Sequence, residues 1–127
     1  MKQLTARALL IGLVLLVSHP VYAADFGVKF QWCDYSAQFN LANVPKGTQQ
    51  LKFKMVDLDV PSFNHGGGTV NYTNQKQIDC GVISGSTGKY TPPSPPSGSH
   101  TYEWTVSALD KDGKELGAAK ASRKFPE

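Results

Sequence analysis

Four side chains of this sequence could act together: Asp57, Asp59, His100 and Tyr102. Residues 51–59 read Leu-Lys-Phe-Lys-Met-Val-Asp-Leu-Asp. In an extended chain Leu51, Phe53 and Met55 share one face, and Asp57 and Asp59 continue that row just before Pro61. Residues 100–108 alternate in the same way. His100, Tyr102, Trp104, Val106 and Ala108 fall on one face; Thr101, Glu103, Thr105 and Ser107 fall on the other. If the two strands run antiparallel, the end of one lies beside the start of the other. Two carboxylates, an imidazole and a phenol then meet at one sheet edge over apolar walls. Neighbouring carboxylates resist ionising together, and a nearby imidazolium favours their charged form. Such a pocket suits a small zwitterion or a polar head group. A bare anion needs His100, backbone amides or a protonated Asp to offset the carboxylates. The plainer alternative is that both aspartates end a strand and bond to local backbone.

The elements that would position these groups are short strands and turns. Residues 90–96, Tyr-Thr-Pro-Pro-Ser-Pro-Pro, cannot be helix or central strand, because each proline removes a backbone donor and fixes φ. This stretch has linker composition, but too little chain follows it for a second domain, so it reads as a structured loop carrying His100 to the rim of the core. Phe26, Val28, Phe30 and Trp32 alternate, as do Tyr35, Ala37, Phe39 and Leu41. A turn at Pro45-Lys46-Gly47 precedes Leu51, and residues 78–83 form a shorter apolar run. Asp112-Gly113 signals a hairpin. Residues 118–124 suit either its return strand or one short helix. No long segment has helical periodicity, so the expected class is all-β or β-dominated.

Residues 1–23 read as a secretory signal peptide. Lys2 and Arg7 precede an apolar run that is too short to span a bilayer, and the small residues Val21 and Ala23 suit a cleavage site. Residues 24–127 then form one domain, periplasmic or secreted, with no transmembrane segment after cleavage. The whole chain carries 13 Lys and Arg against 10 Asp and Glu. Without Lys2 and Arg7 the balance falls to about +1, which leaves no electrostatic footprint for nucleic acid. The two cysteines, Cys33 and Cys80, are the arithmetic of one disulfide in an oxidising compartment.

Three stretches carry a resemblance: Asn-Val-Pro-Lys-Gly-Thr at 43–48, Val-Asp-Leu-Asp-Val-Pro at 56–61, and Tyr-Thr-Pro-Pro-Ser-Pro-Pro-Ser-Gly-Ser-His-Thr-Tyr-Glu-Trp at 90–104, followed by Ala-Leu-Asp. In this order they are similar to the phosphatidylethanolamine-binding protein family, which has Asp-Pro-Asp-x-Pro and Gly-x-His-Arg-Tyr motifs and a further His between them. The resemblance implies a reduced form of that family's antiparallel Greek-key β-sandwich, with at most a short helix and a small pocket that accepts anionic groups such as phosphate. An immunoglobulin-like sandwich is the alternative fold. The implied ligand-binding residues are Asp57, Asp59, Pro61, His65, His100 and Tyr102. Leu58 stands where the family has proline, so a trans Asp57–Leu58 bond is expected here. Thr101 replaces the Arg of the second motif and removes a bidentate donor. Glycines rather than an aromatic residue follow His65, for which a solvated loop position is the other reading.

His65-Gly66-Gly67-Gly68 also looks like the oxyanion loop of lipases, but no Gly-x-Ser-x-Gly accompanies it. The Asp and His spacings match no metal motif. Asn71-Tyr72-Thr73 is a glycosylation sequon only in a eukaryotic secretory pathway. The chain is therefore expected to be a binding protein rather than an enzyme, without cofactor or metal. Its expected partner is a small anionic or zwitterionic ligand of the phospholipid head-group type. The alternative is a protein-interaction or inhibitor module with a degenerate pocket, since the family includes regulators of kinases and other enzymes.

Overall fold

A computed structural model describes residues 11–18 and 24–127. Most of the expected leader, including its cleavage site, lies outside the described residues. Residues 11–18 have no regular secondary structure and exposed side chains. Among the described residues there is no helix, and hence none long and apolar enough to cross a membrane.

The strands form where apolar and polar residues alternate. β1 (Gly27–Cys33), β2 (Ser36–Ala42) and β5 (Gln77–Ile78) make a three-stranded antiparallel sheet in the order β1-β2-β5. β3 (Gln50–Asp57), β4 (Gly67–Asn71), β6 (His100–Leu109) and β7 (Glu115–Phe125) make the second, in the order β4-β3-β6-β7. All of its pairings are antiparallel. Residues 118–124 are thus return strand, not helix. The turn before them is built on Asp110, whose carboxylate accepts the amides of Asp112 and Lys114. Gly113 there has a φ of 80°, in the left-handed region that glycine enters without steric cost.

The apolar rows of the two sheets face each other. Phe39 of β2 packs on Phe53 of β3 at a ring separation of 4.7 Å and edge-on against Trp104 of β6 at 5.1 Å. Trp104, Phe39, Leu51, Val106 and Ala108 are fully buried. The indole N–H of Trp104 has no hydrogen-bond partner. Its burial therefore stabilises less than an all-hydrocarbon ring of that size would. Two expectations shift. Tyr35 does not join the buried row of β2. It lies in the turn after Cys33, 63% exposed, with its ring against Phe125. Of the run at 78–83 only Ile78 pairs as strand, together with Gln77 before it, and Ile83 is buried from a loop.

Cys33 and Cys80 are bonded, with Cα atoms 6.0 Å apart. Cys33 ends β1 and Cys80 follows β5, so the bond ties together the two strands that flank β2. A strand of two residues has little pairing of its own, which makes the staple the main tether at that edge. In the chain-entropy view it stabilises by roughly 3–4 kcal/mol.

Two outcomes follow from this packing. Trp104→Ala should lower unfolding stability by about 3–5 kcal/mol in denaturant titration; a loss under about 1 kcal/mol would mean the ring is not in the core. The Cys33→Ser, Cys80→Ser double variant should lose roughly 2–4 kcal/mol. In the wild type, alkylation before reduction should leave the intact mass unchanged, and two labelled thiols at that stage would refute the bond.

Candidate functional site

The site grows from the register of β3 on β6, which sets Asp57 opposite Tyr102 and Met55 opposite Trp104. The inward row of β3 therefore ends in Asp57, 4% exposed, beside Tyr102, 1% exposed. His100 opens β6 on the same face. Its Nδ1 lies 2.6 Å from Asp57 Oδ2. The other oxygen, Asp57 Oδ1, accepts the backbone amides of Asp59 at 2.9 Å and Val60 at 3.3 Å. Both carboxylate oxygens are thus satisfied, as a buried charge requires. Burial by itself raises the Asp57 pKa. The hydrogen bond from His100, the two amides and the charge of His100 outweigh it and hold the carboxyl below its ordinary range. The Tyr102 pKa is raised, chiefly by burial and then by the Asp57 charge, against a smaller opposing effect of the Ser94 amide, so the phenol stays protonated.

Asp59 leaves the row. β3 ends at Asp57, and the chain turns with Val60 N–H donating to the Asp57 carbonyl. Asp59 is exposed, and its Oδ2 accepts the Thr101 amide at 2.8 Å. It thereby locks the turn to the start of β6. One ligand atom each from Asp57, Asp59 and His100 lie within 4.8 Å of one another. The hydrogen bonds just described already engage both oxygens of Asp57, Oδ2 of Asp59 and Nδ1 of His100. Pro61 is exposed in the turn and is not among the residues lining the cavity. His65 is brought in: it is buried, not a solvated loop residue. Its Nδ1 bonds to the Thr91 carbonyl at 2.8 Å, and its ring meets Tyr102 edge-on at 5.4 Å.

Asp57, His65, His100 and Tyr102 line a cavity of about 300 Å³. Its other walls are Val60 and Phe63 from the turn after β3, and Thr91, Pro92, Ser94, Pro95 and Pro96 from the proline-rich loop. That loop was legible as a rigid carrier of His100. That it also forms a wall was not, because a proline run shows stiffness and not direction. Each imidazole has one nitrogen committed: His65 Nδ1–H donates to a carbonyl, and His100 Nδ1 donates to Asp57. On both rings Nε2 remains for a ligand, as an acceptor when neutral and a donor when protonated.

The sequence model of the phosphatidylethanolamine-binding protein family matches residues 22–125. The chain belongs to the phosphatidylethanolamine-binding protein family. A crystal structure of a phosphatidylethanolamine-binding protein homologue from Chlamydia trachomatis is similar to it in fold, with a TM-score of 0.60 at 17% identity over 81% of this chain and 98% of that one. No curated protein matches the chain. The departures of this family member have structural correlates. Asp57–Leu58 is trans, as expected, and the Leu58 amide donates to the Thr101 carbonyl at 2.8 Å, a bond that proline could not make. Thr101 lies on the face of β6 opposite His100 and Tyr102, so the residue at this position is directed away from the cavity-lining row.

The Asp57 pKa fixes a pH dependence. Because the folded value is depressed, the stabilisation is present above the unfolded carboxyl pKa of about 3.9 and is lost as pH falls through the lower folded value. Asp57→Asn should therefore be less stable than the wild type near neutral pH, by roughly 1–3 kcal/mol. The gap should narrow on acidification below about pH 4. Urea titrations of both proteins across this range would show it, and a gap constant down to about pH 2 would contradict the assignment.

Proposed function

We propose that this family member is an exported, non-enzymatic binding protein whose cavity takes a small phosphate-bearing or zwitterionic group, of the kind found on a phospholipid head group. The observation that carries the reading is the buried Asp57–His100 pair facing His65 and Tyr102 in one small cavity with apolar walls. His100 offers Nε2 to an anionic oxygen, and Tyr102 supplies a neutral hydroxyl. Asp57 holds the His100 ring and adds a negative potential that an amine on the ligand would offset. A zwitterion thus suits the site better than a bare anion. The walls of Val60, Phe63 and prolines exclude water on the remaining sides and accept methylene groups. The imidazoles are assigned to binding, since Nδ1 of each is held by a carboxylate or a carbonyl and Nε2 is left to a ligand. The apolar, charge-poor run at residues 8–17 and the disulfide support export.

A second reading has its own support. Leu58, Val60 and Phe63, each 40–50% exposed, cluster in the turn at the cavity's rim. Such a rim favours a protein partner that covers the cavity.

Titration of the ¹⁵N-labelled protein with phosphoethanolamine tests the first reading. Amide shifts should saturate around residues 57–61 and 98–104, with an affinity of order millimolar to high micromolar, about 4–6 kcal/mol. They should vanish in His100→Ala. Absence of shifts at millimolar ligand, or equal shifts in the variant, would overturn the pocket and leave the protein partner in front.

A further inference from the structure

A second concave site lies on the outer face of the four-stranded sheet. Lys52 and Lys54 alternate with the buried residues of β3 and so project from the face opposite Asp57. They stand two residues apart, which separates their Cα atoms by about 7 Å. The residues directly opposite them carry no charge, and Glu103, diagonal to Lys54 on the same face, is paired with Lys120. Lys52 lies between Thr69 and Ser107, and Lys54 between Gly67 and Thr105. Neither lysine has a carboxylate partner among the described residues.

A third lysine is delivered by backbone packing. Gly66 has a φ of 67°, and a Cβ there would sit 1.6 Å from the Lys89 carbonyl oxygen. A Cβ on Gly68 would meet Thr87 Oγ1 at 2.5 Å, and one on Gly88 the Gly67 carbonyl oxygen at 2.6 Å. Only glycines let the loop before Tyr90 lie directly on this edge, where Thr69 N–H bonds to the Thr87 carbonyl. Lys89 is thereby held beside Lys52 and Lys54. The three lysines, with Thr69, Thr87 and Asn64, line a groove of about 360 Å³ without any carboxylate. The glycine run after His65 therefore serves two sites at once. His65 faces the cavity, and the glycines build the groove behind it.

We propose that this groove binds a small ligand carrying two or three adjacent phosphate groups. Three unneutralised ammoniums favour a polyanion over a single charge. The spacing along β3 places one anionic group at each lysine. The Thr69 hydroxyl and the Asn64 side-chain amide can donate to the remaining oxygens, while the Thr87 hydroxyl is held by the Ser84 carbonyl. The groove has no carboxylate and the cavity has Asp57, so a polyanion favours the groove and a zwitterion the cavity.

Tripolyphosphate is the probe, with inorganic phosphate as the single-charge comparison. Amide shifts of the ¹⁵N-labelled protein should saturate at residues 66–69 and 87–89, with affinity at least about tenfold tighter for tripolyphosphate. Binding should weaken as salt rises, since the lysines are exposed. The triple variant Lys52→Gln, Lys54→Gln, Lys89→Gln should lose about tenfold or more in affinity while keeping the phosphoethanolamine shifts at residues 98–104. If that variant loses its dispersed spectrum, Lys54→Gln alone should weaken binding about threefold. No saturation by about 10 mM, equal affinity for the two probes, or shifts unchanged in the variants would overturn the groove. Loss of phosphoethanolamine binding in every protein would bear on the cavity and not on this site.

Discussion

The antiparallel register of β3 on β6 is the constraint on which the rest depends. It places Asp57 opposite Tyr102 and, in the same stroke, puts Leu51, Phe53, Met55, Trp104 and Val106 into one core. Strand side chains have a period of two, so a slip of one residue would send the whole inward row of the slipping strand to the other face. A slip of β3 would expose Asp57 with Leu51, Phe53 and Met55 and bury Lys52 and Lys54; a slip of β6 would expose Trp104 with Tyr102 and His100. Core and site therefore cannot be altered separately. The apolar row that stabilises the sheet is the same row that carries the carboxylate to the cavity.

A buried carboxylate at the end of such a row is tolerated because its surroundings answer it completely. One oxygen takes the imidazole of His100, and the other takes two amides of the turn that ends β3. Asp59 extends the same logic outward by fixing the Thr101 amide. The turn after β3 and the start of β6 are thus locked by side-chain acceptors from both sides of Leu58. The aspartates are local strand-ending residues and members of the cavity cluster at once; the two readings of them do not compete. Asp57 serves the cavity directly, and Asp59 holds the frame around it.

The edge strand β4 shows a related economy. Residues 65–69 run between β3 and the loop 87–91, bonded to both: Met55 N–H to the Gly66 carbonyl, Thr91 N–H to the His65 carbonyl and Thr69 N–H to the Thr87 carbonyl. Covering the sheet edge in this way removes an open row of backbone donors and acceptors that could pair with another chain. The same covering shapes the inner cavity through His65 and the outer groove through Lys89. At the opposite sheet, the Cys33–Cys80 bond replaces pairing that the two-residue β5 cannot supply.

Period and composition were enough, read along the chain, to determine the β class, the inward faces of β1, β3 and β6, the hairpin at Asp112-Gly113 and the pairing of the two cysteines. These are local properties: alternation, turn chemistry and count survive in one dimension. The same alternation placed Asp57, His100 and Tyr102 on converging rows, so the heart of the candidate site was legible. Asp59 was not, because extending the alternation past Asp57 assumed a strand that ends there. Pro61, implied by the family motif and not by alternation, lies exposed in the turn outside the cavity lining. Tyr35 followed the period of β2 but fell in the turn before it. His65 carried no local signal of burial; the rings of Phe63 and Tyr102 and the loop 87–91 packed on Gly66 and Gly68 take it out of solvent. The walls of Val60, Phe63 and prolines, and the meeting of Lys89 with Lys52 and Lys54, were likewise tertiary decisions. They join residues distant in sequence through backbone contacts, and no periodicity within one segment encodes which loop will lie on which edge.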